Sequence, residues 1–162
     1  MPTQLFFIVL KKIWYMQHDI KNDLVYLLRM LESIGKIQLY IAKFEKAIEF
    51  FRANDQQNFN ASLMLLINIG EQSNRVSEVL KIKHPDLAWS QIKSFRNRVA
   101  HDYIGIDRFI AFDILQNELP ILKHQLEQIV RVEMLEGNFD REEYKLAQSS
   151  EYYTHIDYKN ID

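Results

Sequence analysis

The chain has 162 residues, enough for one well-formed hydrophobic core and too few for two ordinary domains. Its hydrophobic fraction of 48% and charged fraction of 26% are typical of a globular protein in water. The formal net charge of −2 gives no global attraction to nucleic acid, so a site for a polyanion has to be a local patch. The absence of cysteine excludes disulfides, thiolate metal sites and thiol catalysis. With four Gly and three Pro, helices are favoured over hairpins.

Residues 1–20 form an N-terminal extension that contains a short apolar run, Leu5–Leu10. A helix needs about 20 apolar residues to span a bilayer, and this run is far shorter. The extension also lacks the basic region and the small-residue cleavage site of a signal peptide. We therefore expect a cytoplasmic protein with no membrane role, in which the extension lengthens the first helix or forms a sticky surface.

Helical spacing dominates the part of the chain that follows. A first helix is predicted from about Lys11 to Lys43, and a shorter one from Phe44 to Phe51. The apolar residues of the first recur at three- and four-residue steps: Leu24, Leu27, Leu28, Leu31, Ile34 and Ile41. After a polar loop, a long helix capped by Asn60 is predicted to run to His84, because the residue before a proline is disfavoured in a helix.

The second half of the chain continues the helical pattern. A third long helix is predicted from about Leu87 to Tyr103, followed by Gly105 in the left-handed conformation that often ends a helix. Asp107 can cap a fourth helix, in which Pro120 is expected to cause a kink or a restart. No run alternates with period two for long enough to predict a strand. The sequence predicts an all-α fold, a bundle of four to five helices within residues 21–135.

The composition changes at Gly137. From there to the C-terminus six acidic residues stand against three basic ones, and four tyrosines occur without a periodic apolar face. Such a segment has little apolar surface to bury. We predict that residues 136–162 form an acidic, Tyr-rich tail that is disordered or docks on a partner.

A dense group of polar side chains occurs in the stretch FRNRVAHDYIGI, which spans Phe95–Ile106. If the third helix is regular, Arg96 and Tyr103 share one face two turns apart. His101 then lies roughly 140° around the helix axis from Arg96. One helix cannot easily direct both Arg96 and His101 at a single atom. A site that uses both is more natural at a seam between two chains.

Two interpretations of this cluster are open. A lone Arg and a lone His on a helix are most often solvated or core-edge residues, and the spacing of Arg98 and Asp102 favours a simple surface ion pair. A functional interpretation assigns the Arg96 guanidinium to phosphate binding and the His101 imidazole to proton transfer, beside the Asn97 amide. No acidic cluster with metal-ligand spacing accompanies them. We therefore predict no metal site and no cofactor.

The run from Trp89 to Asp107, WSQIKSFRNRVAHDYIGID, resembles the signature of the HEPN superfamily in its HepT-like branch. That branch has a tryptophan, an R-N pair, the motif R-x4-H-x-Y and an apolar–Asp pair. The run Asn68–Glu71 is similar to the I-G-E of the family's preceding helix, and Glu118–Pro120 is similar to its L-P kink. The resemblance covers about residues 21–130 and leaves out the N-terminal extension and the tail.

The resemblance implies a HEPN-type bundle that forms a homodimer through the motif helices and brings two Arg96/His101 pairs to one cleft. It implies a metal-independent endoribonuclease that cleaves RNA as the toxin of a type VII-like toxin–antitoxin pair, with Asn97 and Asp102 as supporting residues. The partner would be a minimal nucleotidyltransferase antitoxin that transfers AMP to Tyr103. The alternative is a catalytically inactive HEPN binding module that partners or regulates a nucleotidyltransferase.

Overall fold

The structure is a computed structural model that describes the backbone of residues 2–162 and the side chains of residues 7–9 and 23–162. Over the described backbone the chain is helical and has no strand, which confirms the predicted all-α class. Within the same residues, every helix is too short or too polar to cross a membrane.

The four longest helices make up the body of the fold, and shorter helices connect or extend them. In chain order the helices are α1 (Pro2–Ile41), α2 (Ala47–Arg52), α3 (Gln57–Arg75), α4 (Glu78–Lys83), α5 (Trp89–His101), α6 (Arg108–Asp113), α7 (Leu119–Leu135) and α8 (Arg141–Gln148). A π-helical segment (Ile114–Glu118) joins α6 to α7, and two 3-10 turns (Glu151–Tyr153 and Tyr158–Asn160) follow α8. Helix α3 packs against both α1 and α5, and α7 packs against α1.

The core forms where the apolar stripe of α1 meets α3 and α7. The positions predicted from the helical period of α1 are buried: Leu24, Leu27, Leu28, Leu31, Ile34 and Ile41. Leu63 and Leu66 of α3 and Leu126 and Val130 of α7 are buried with them. Each fully buried aliphatic side chain contributes about 1.5–3 kcal/mol relative to exposure. The predicted core of the first helix is confirmed.

The long helix predicted to end at His84 is in fact two helices, α3 and α4. The chain leaves the helical conformation at Val76, and the Ser77 side chain caps α4 by accepting a hydrogen bond from the backbone N–H of Leu80 (3.2 Å). Asp23 of α1 stabilises this break, because its carboxylate accepts hydrogen bonds from the backbone N–H (2.7 Å) and the hydroxyl (2.6 Å) of Ser77. The end of α4 at His84 agrees with the prediction.

The start of α3 also differs from the prediction. The helix begins at Gln57, so Asn60 lies inside its first turn and does not cap it. A tight turn precedes the helix, in which Asn54, Asp55 and Gln56 have left-handed φ angles of 49°, 53° and 66°. Such φ values are rare for residues other than glycine, and Asn and Asp tolerate them best. This turn sets the direction in which α3 enters the bundle.

Two local signals in the second half of the chain are confirmed. The Asp107 carboxylate caps α6 by accepting hydrogen bonds from the backbone N–H groups of Phe109 (2.7 Å) and Ile110 (3.2 Å). Pro120 lies in the first turn of α7, directly after the π-helical segment. A proline cannot donate the hydrogen bond of a continuous α-helix, and the π-helical segment directly before it interrupts that pattern. The predicted kink or restart corresponds to this π-helical interruption.

Residues 136–162 pack on the bundle of their own chain, so the prediction of a disordered or partner-docked tail is wrong. The buried side chains of this segment are Phe139, Tyr144, Ala147, Ile156 and Ile161. The rings of Tyr144 and Tyr158 meet edge to face, with 5.7 Å between centroids. Burial is the main cause of the raised pKa of the Tyr144 phenol, and it raises the pKa of Tyr158 to about 12.

Buried carboxylates anchor this C-terminal segment to the bundle. Glu32 of α1 accepts a hydrogen bond from the backbone N–H of His155 (2.8 Å), and its other oxygen lies 2.6 Å from Nδ1 of the same residue. A Cβ at Gly35 would overlap the backbone carbonyl of His155, so the glycine allows the segment to approach α1 closely. These contacts join residues more than a hundred positions apart.

A second buried carboxylate ties α4 to the end of α7. The side chain of Glu133 is fully buried and lies 2.7 Å from Lys83 Nζ, 2.6 Å from His84 Nε2 and 2.7 Å from Asn138 Nδ2. Burial alone would raise the pKa of the Glu133 carboxyl. The hydrogen bonds from its three partners outweigh that effect and hold the pKa below its ordinary value.

Candidate active site

Helix α5 carries both candidate catalytic residues and is fixed to the bundle by its apolar side. Its first residue, Trp89, donates its indole N–H to the backbone carbonyl of His84 (3.0 Å). Val99 is buried in the core, and Phe95 is partly buried and packs against the core. These contacts fix the rotation of α5, so they decide which of its side chains point toward α3 and which point to solvent.

Arg96 points toward α3, where the backbones of the two helices come close at Gly70. A Cβ at Gly70 would overlap Cβ and Cγ of Arg96. Glycine at this position therefore lets α5 approach α3 and brings the guanidinium of Arg96 to the carboxylate of Glu71, with which Nη2 forms an ion pair. Arg96 therefore packs on the I-G-E run of α3.

The Arg96 guanidinium is held by two partners and still has donors to spare. Besides its ion pair with Glu71, its Nη1 donates a hydrogen bond to Oδ1 of Asn97 (2.8 Å). Its Nε is buried and has no hydrogen-bond partner among the described residues. About a quarter of the side chain is exposed, 27%. Since guanidinium has five N–H donors in a rigid fork, Arg96 can keep both partners and bind an oxyanion.

His101 is the last residue of α5 and is exposed to solvent. Its imidazole makes no hydrogen bond or ion pair within the described part of the chain. Arg96 is seated against α3, whereas His101 stands at the exposed end of α5, five residues further along a regular helix. The structure thus leaves these two candidate catalytic residues on different sides of one helix and does not join them within a single chain.

Asp102 and Gly105 do not have the local geometry predicted for them. Asp102 makes no ion pair with Arg98 in the described residues, and its carboxylate accepts a hydrogen bond from the backbone N–H of Gly105 (3.0 Å). Gly105 is not left-handed, because Gly137 is the glycine with a positive φ in the described chain. A Cβ at Gly105 would overlap the Asp102 carboxylate. The two residues together form the turn that follows α5.

Tyr103 lies beyond the end of α5, which corrects the prediction that it shares a helix face with Arg96. Its side chain is 38% exposed, and its hydroxyl donates a hydrogen bond to Oδ1 of Asn60 on α3 (2.8 Å). Partial burial raises the pKa of the Tyr103 phenol above its ordinary value. The tyrosine is therefore neutral near pH 7.

Sequence reasoning missed the contacts of three residues in this region: Gly70 and Glu71 with Arg96, and Asn60 with Tyr103. The I-G-E run was recognisable as a motif, but its contact with Arg96 depends on how α3 packs on α5, which no local pattern shows. Asn60 was expected to be a helix cap and is instead the acceptor for Tyr103. Among the described residues, no group of three or more His, Asp or Glu side chains could hold a metal ion.

Comparison with known proteins assigns the chain to a family. The model of the family "Ribonuclease HepT-like" matches residues 30–129, which contain α3, α5 and the whole R-x4-H-x-Y motif. The chain belongs to the ribonuclease HepT-like family. The match leaves out residues 1–29 and 130–162, so it does not cover the first part of α1 or the C-terminal segment.

Individual relatives are distant. A "probable ribonuclease HepT" of Thermococcus cleftensis is 28% identical over 101 residues, which cover 61% of this chain and 91% of that protein. A candidate RNase of Methanocaldococcus jannaschii is 27% identical over 112 residues, which cover 68% and 96%. A candidate RNase of Caldanaerobacter subterraneus is 28% identical over 65 residues, which cover 40% and 58%. No solved structure matches the chain.

Proposed function

We propose that this HepT-like chain is an endoribonuclease that works as a homodimer and uses Arg96 and His101 as its catalytic residues. The observation that carries the proposal is the state of these two side chains. A partly exposed guanidinium with donors to spare and an exposed imidazole without a hydrogen bond occur in the motif of a ribonuclease-type family. Binding of a phosphate and transfer of a proton are the two tasks that cleavage of RNA requires.

The chemistry needs no nucleophile from the protein, because RNA carries its own in the ribose 2′-hydroxyl. His101 takes the proton of that hydroxyl as its oxygen attacks the phosphorus. The bond from phosphorus to the 5′-oxygen breaks, and the partner's His101 gives that oxygen a proton. The products are a 2′,3′-cyclic phosphate and a 5′-hydroxyl, with one proton removed and one added. Because the two His101 side chains carry out both proton transfers, the reaction needs no metal ion.

Arg96 supplies charge where the transition state needs it. Its guanidinium binds the phosphate oxygens, on which negative charge develops during the attack. Glu71 and Asn97 act as positioning residues, since each already engages one nitrogen of the guanidinium. A cation held in advance does not have to be reoriented during the reaction.

A homodimer explains how Arg96 and His101 can serve one substrate. Within one chain the first is seated against α3 and the second stands at the exposed end of α5. An isologous dimer through α5 sets each motif opposite its copy, and C2 dimers are the commonest soluble homo-oligomers. The outward side of α5 carries short or polar exposed residues, among them Ser90, Ser94 and Arg98. Sedimentation at micromolar concentration is expected to give a dimer, and a 19.4 kDa monomer would contradict the shared site.

Tyr103 is the point at which we propose that activity is switched off. A minimal nucleotidyltransferase antitoxin transfers AMP from ATP to the tyrosine oxygen, forming an O–P bond and releasing pyrophosphate. The partly exposed side chain of Tyr103, two residues from His101, supports this role. Because burial raises the pKa of the phenol, the transferase has to supply the base that removes its proton. The added phosphate and nucleoside would block the site by bulk and by charge.

The regulation has its own test. The chain incubated with the transferase and ATP is expected to gain mass in units of AMP and to lose ribonuclease activity. Tyr103→Phe keeps the ring and is expected to resist both changes, whereas the control Tyr152→Phe, at another exposed tyrosine, is modified like the parent. Added mass at Tyr152 or Tyr153 would contradict the proposed switch and leave the nuclease proposal standing.

One observation favours the alternative of an inactive binding module. Arg96 is already paired with Glu71, so the resting chain offers no unpaired charge at this position. The alternative predicts normal growth when the chain is expressed alone and unchanged RNA in its presence. The ribonuclease proposal predicts growth arrest that depends on His101.

The direct test of the reaction uses two matched RNA substrates. The purified chain in EDTA is expected to cut unmodified single-stranded RNA and to leave 2′,3′-cyclic or 3′-phosphate ends. The same sequence with 2′-O-methyl groups is expected to stay intact, because its nucleophile is blocked. Equal cleavage of both substrates, or products with 5′-phosphate ends, would contradict the mechanism.

A further inference from the structure

A cavity of about 480 Å³ opens beside Tyr103, between the turn after α5 and helices α2, α3 and α6. Its volume lies in the range of about 300–1,000 Å³ that is usual for small-molecule sites. The residues that give the cavity its chemistry are aromatic, amide and cationic: Phe51, Phe59, Asn60, Tyr103, Arg108 and Phe109. The proposed catalytic histidine is absent from this lining, so the cavity is a separate feature next to the motif.

Arg108 lies in this cavity close to two aromatic rings. Its guanidinium carbon lies 5.1 Å from the ring centroid of Phe51 and 5.4 Å from that of Phe109. The Nε of Arg108 is buried and has no hydrogen-bond partner among the described residues. Among the described residues the Arg108 guanidinium makes no hydrogen bond and no ion pair, so its outer N–H groups are free to donate to a ligand in the cavity. An anionic oxygen is the acceptor that suits a guanidinium best.

The other walls suit a flat aromatic ligand. The Phe109 ring is more than half exposed, 57%, and so has surface free for stacking. Asn60 uses Oδ1 for Tyr103, which leaves its amide N–H groups for an acceptor. The acidic lining residue, Asp107, is engaged in capping the backbone N–H groups of Phe109 and Ile110. The cavity thus combines a cation, amide groups and stacking surface.

We propose that this cavity binds one nucleoside monophosphate unit, with its phosphate at Arg108 and its base stacked on Phe109. The inference rests on the proposed function, because it is the position of Tyr103 on the wall that connects the cavity to RNA cleavage and its control. Two sources carry the same chemistry. One is the AMP joined to Tyr103, and the other is the nucleotide of the RNA substrate beside the scissile phosphate.

Binding of two probes to the unmodified full-length chain tests the cavity. The probes are free 5′-AMP and a fluorescent 2′-O-methyl RNA oligonucleotide, which binds without being cut. Phe109→Ala removes the stacking surface and is expected to weaken binding roughly five- to hundredfold, the range for loss of one base–aromatic stack. Arg108→Gln is expected to weaken binding of the same probe. The control Ile110→Ala, at an equally exposed neighbour that does not line the cavity, is expected to leave binding unchanged.

The two probes distinguish the sources. If the two variants weaken the binding of 5′-AMP alone, the cavity is assigned to the nucleotide on Tyr103. If they weaken the binding of the oligonucleotide alone, it is assigned to the RNA substrate. Loss of both assigns it to both. Unchanged binding of both probes in Phe109→Ala and Arg108→Gln would overturn the proposal, as would an equal loss in Ile110→Ala.

A labelling experiment covers the case in which a variant folds poorly. The parent chain is irradiated with 8-azido-AMP, and the labelled peptides are identified by mass spectrometry. Label is expected within residues 51–60 or 103–109, and protection by excess 5′-AMP is expected with it. Label confined to other segments would overturn the proposal. Neither binding nor labelling depends on RNA cleavage, so an inactive chain that still binds both probes would contradict the nuclease proposal alone.

Discussion

The C-terminal segment, residues 136–162, and the motif segment, residues 96–103, are attached to the bundle in opposite ways. The C-terminal segment is held by buried aromatic rings and by hydrogen bonds to buried carboxylates, such as those between Glu32 and His155. In the second, His101 and Tyr103 are exposed, and His101 has no hydrogen bond among the described residues. The exposed groups of the motif segment, such as the His101 imidazole, are therefore expected to tolerate substitution with little loss of stability, whereas the buried rings of the C-terminal segment are not.

The largest effect is expected from removing a ring of the C-terminal segment. Phe139→Ala leaves a cavity in the core and is expected to lower the free energy of unfolding by about 3–5 kcal/mol. Urea denaturation followed by circular dichroism measures it. The control Tyr152→Ala, at a ring that is mostly exposed, is expected to change stability by no more than about 0.5 kcal/mol. A similar loss in both variants would show that the segment is not packed as described.

The next effect is electrostatic and depends on pH. The pKa of the Glu133 carboxyl in the folded chain lies below its ordinary value of 4.5. The stability that the ionised carboxylate contributes is therefore fully present above pH 4.5 and is lost as the pH falls through the folded pKa. Glu133→Gln is expected to lower the free energy of unfolding by about 1.5–3 kcal/mol at pH 7, the range for hydrogen bonds to a charged group. The difference from the parent is expected to shrink at low pH.

Denaturation at pH 7 and at pH 3 measures both parts of this expectation. RNA cleavage per folded molecule at pH 7 is expected to stay at the parental level, because the partners of Glu133, namely Lys83, His84 and Asn138, lie outside the motif segment. A constant difference at both pH values would contradict the assigned role of the charge.

A smaller effect is expected at the border between scaffold and site. Glu71→Gln removes the charge that fixes the Arg96 guanidinium, and the rate constant kcat is expected to fall roughly ten- to hundredfold through lost positioning. The ion pair is partly exposed, so unfolding is expected to change by about 1 kcal/mol at most. Steady-state kinetics separate the cases: a rise in KM alone would make Glu71 a substrate-binding residue, contrary to the positioning role.

Much of the fold could be predicted because its signals are local. The period of Leu24, Leu27 and Leu31 predicted a buried stripe, and Asp107 was recognised as a cap from its own neighbourhood. The break at Ser77 could not be predicted in the same way. It depends on Asp23, which is far away in the sequence and reaches Ser77 only after α1 and α3 have packed.

The C-terminal segment was misjudged for a related reason. Its buried residues, among them Phe139, Ile156 and Ile161, are spread over a short helix and two turns, so they show no helical period. Composition therefore suggested disorder. What orders the segment is a surface that other helices create, including the place that Gly35 leaves for the backbone of His155.

At the site, the motif predicted residue types but not their surroundings. Arg96 and His101 were identified from their chemistry and spacing. Their roles stay a prediction, and the structure adds that Arg96 is seated on Gly70 and Glu71. Contacts between helices at this level depend on close packing, which one glycine permits and which no period reveals.

The measurement that tests the central claim most directly is the rate of RNA cleavage by His101→Ala, taken together with its free energy of unfolding. His101 is exposed and has no hydrogen bond in the described chain, so its removal is expected to change stability by no more than about 0.5 kcal/mol. Cleavage is expected to fall by roughly 10²–10⁴-fold, the usual contribution of a general acid or base. The control His124→Ala, at an exposed histidine of α7, is expected to match the parent in both quantities. Parental cleavage by a folded His101→Ala chain would contradict the account.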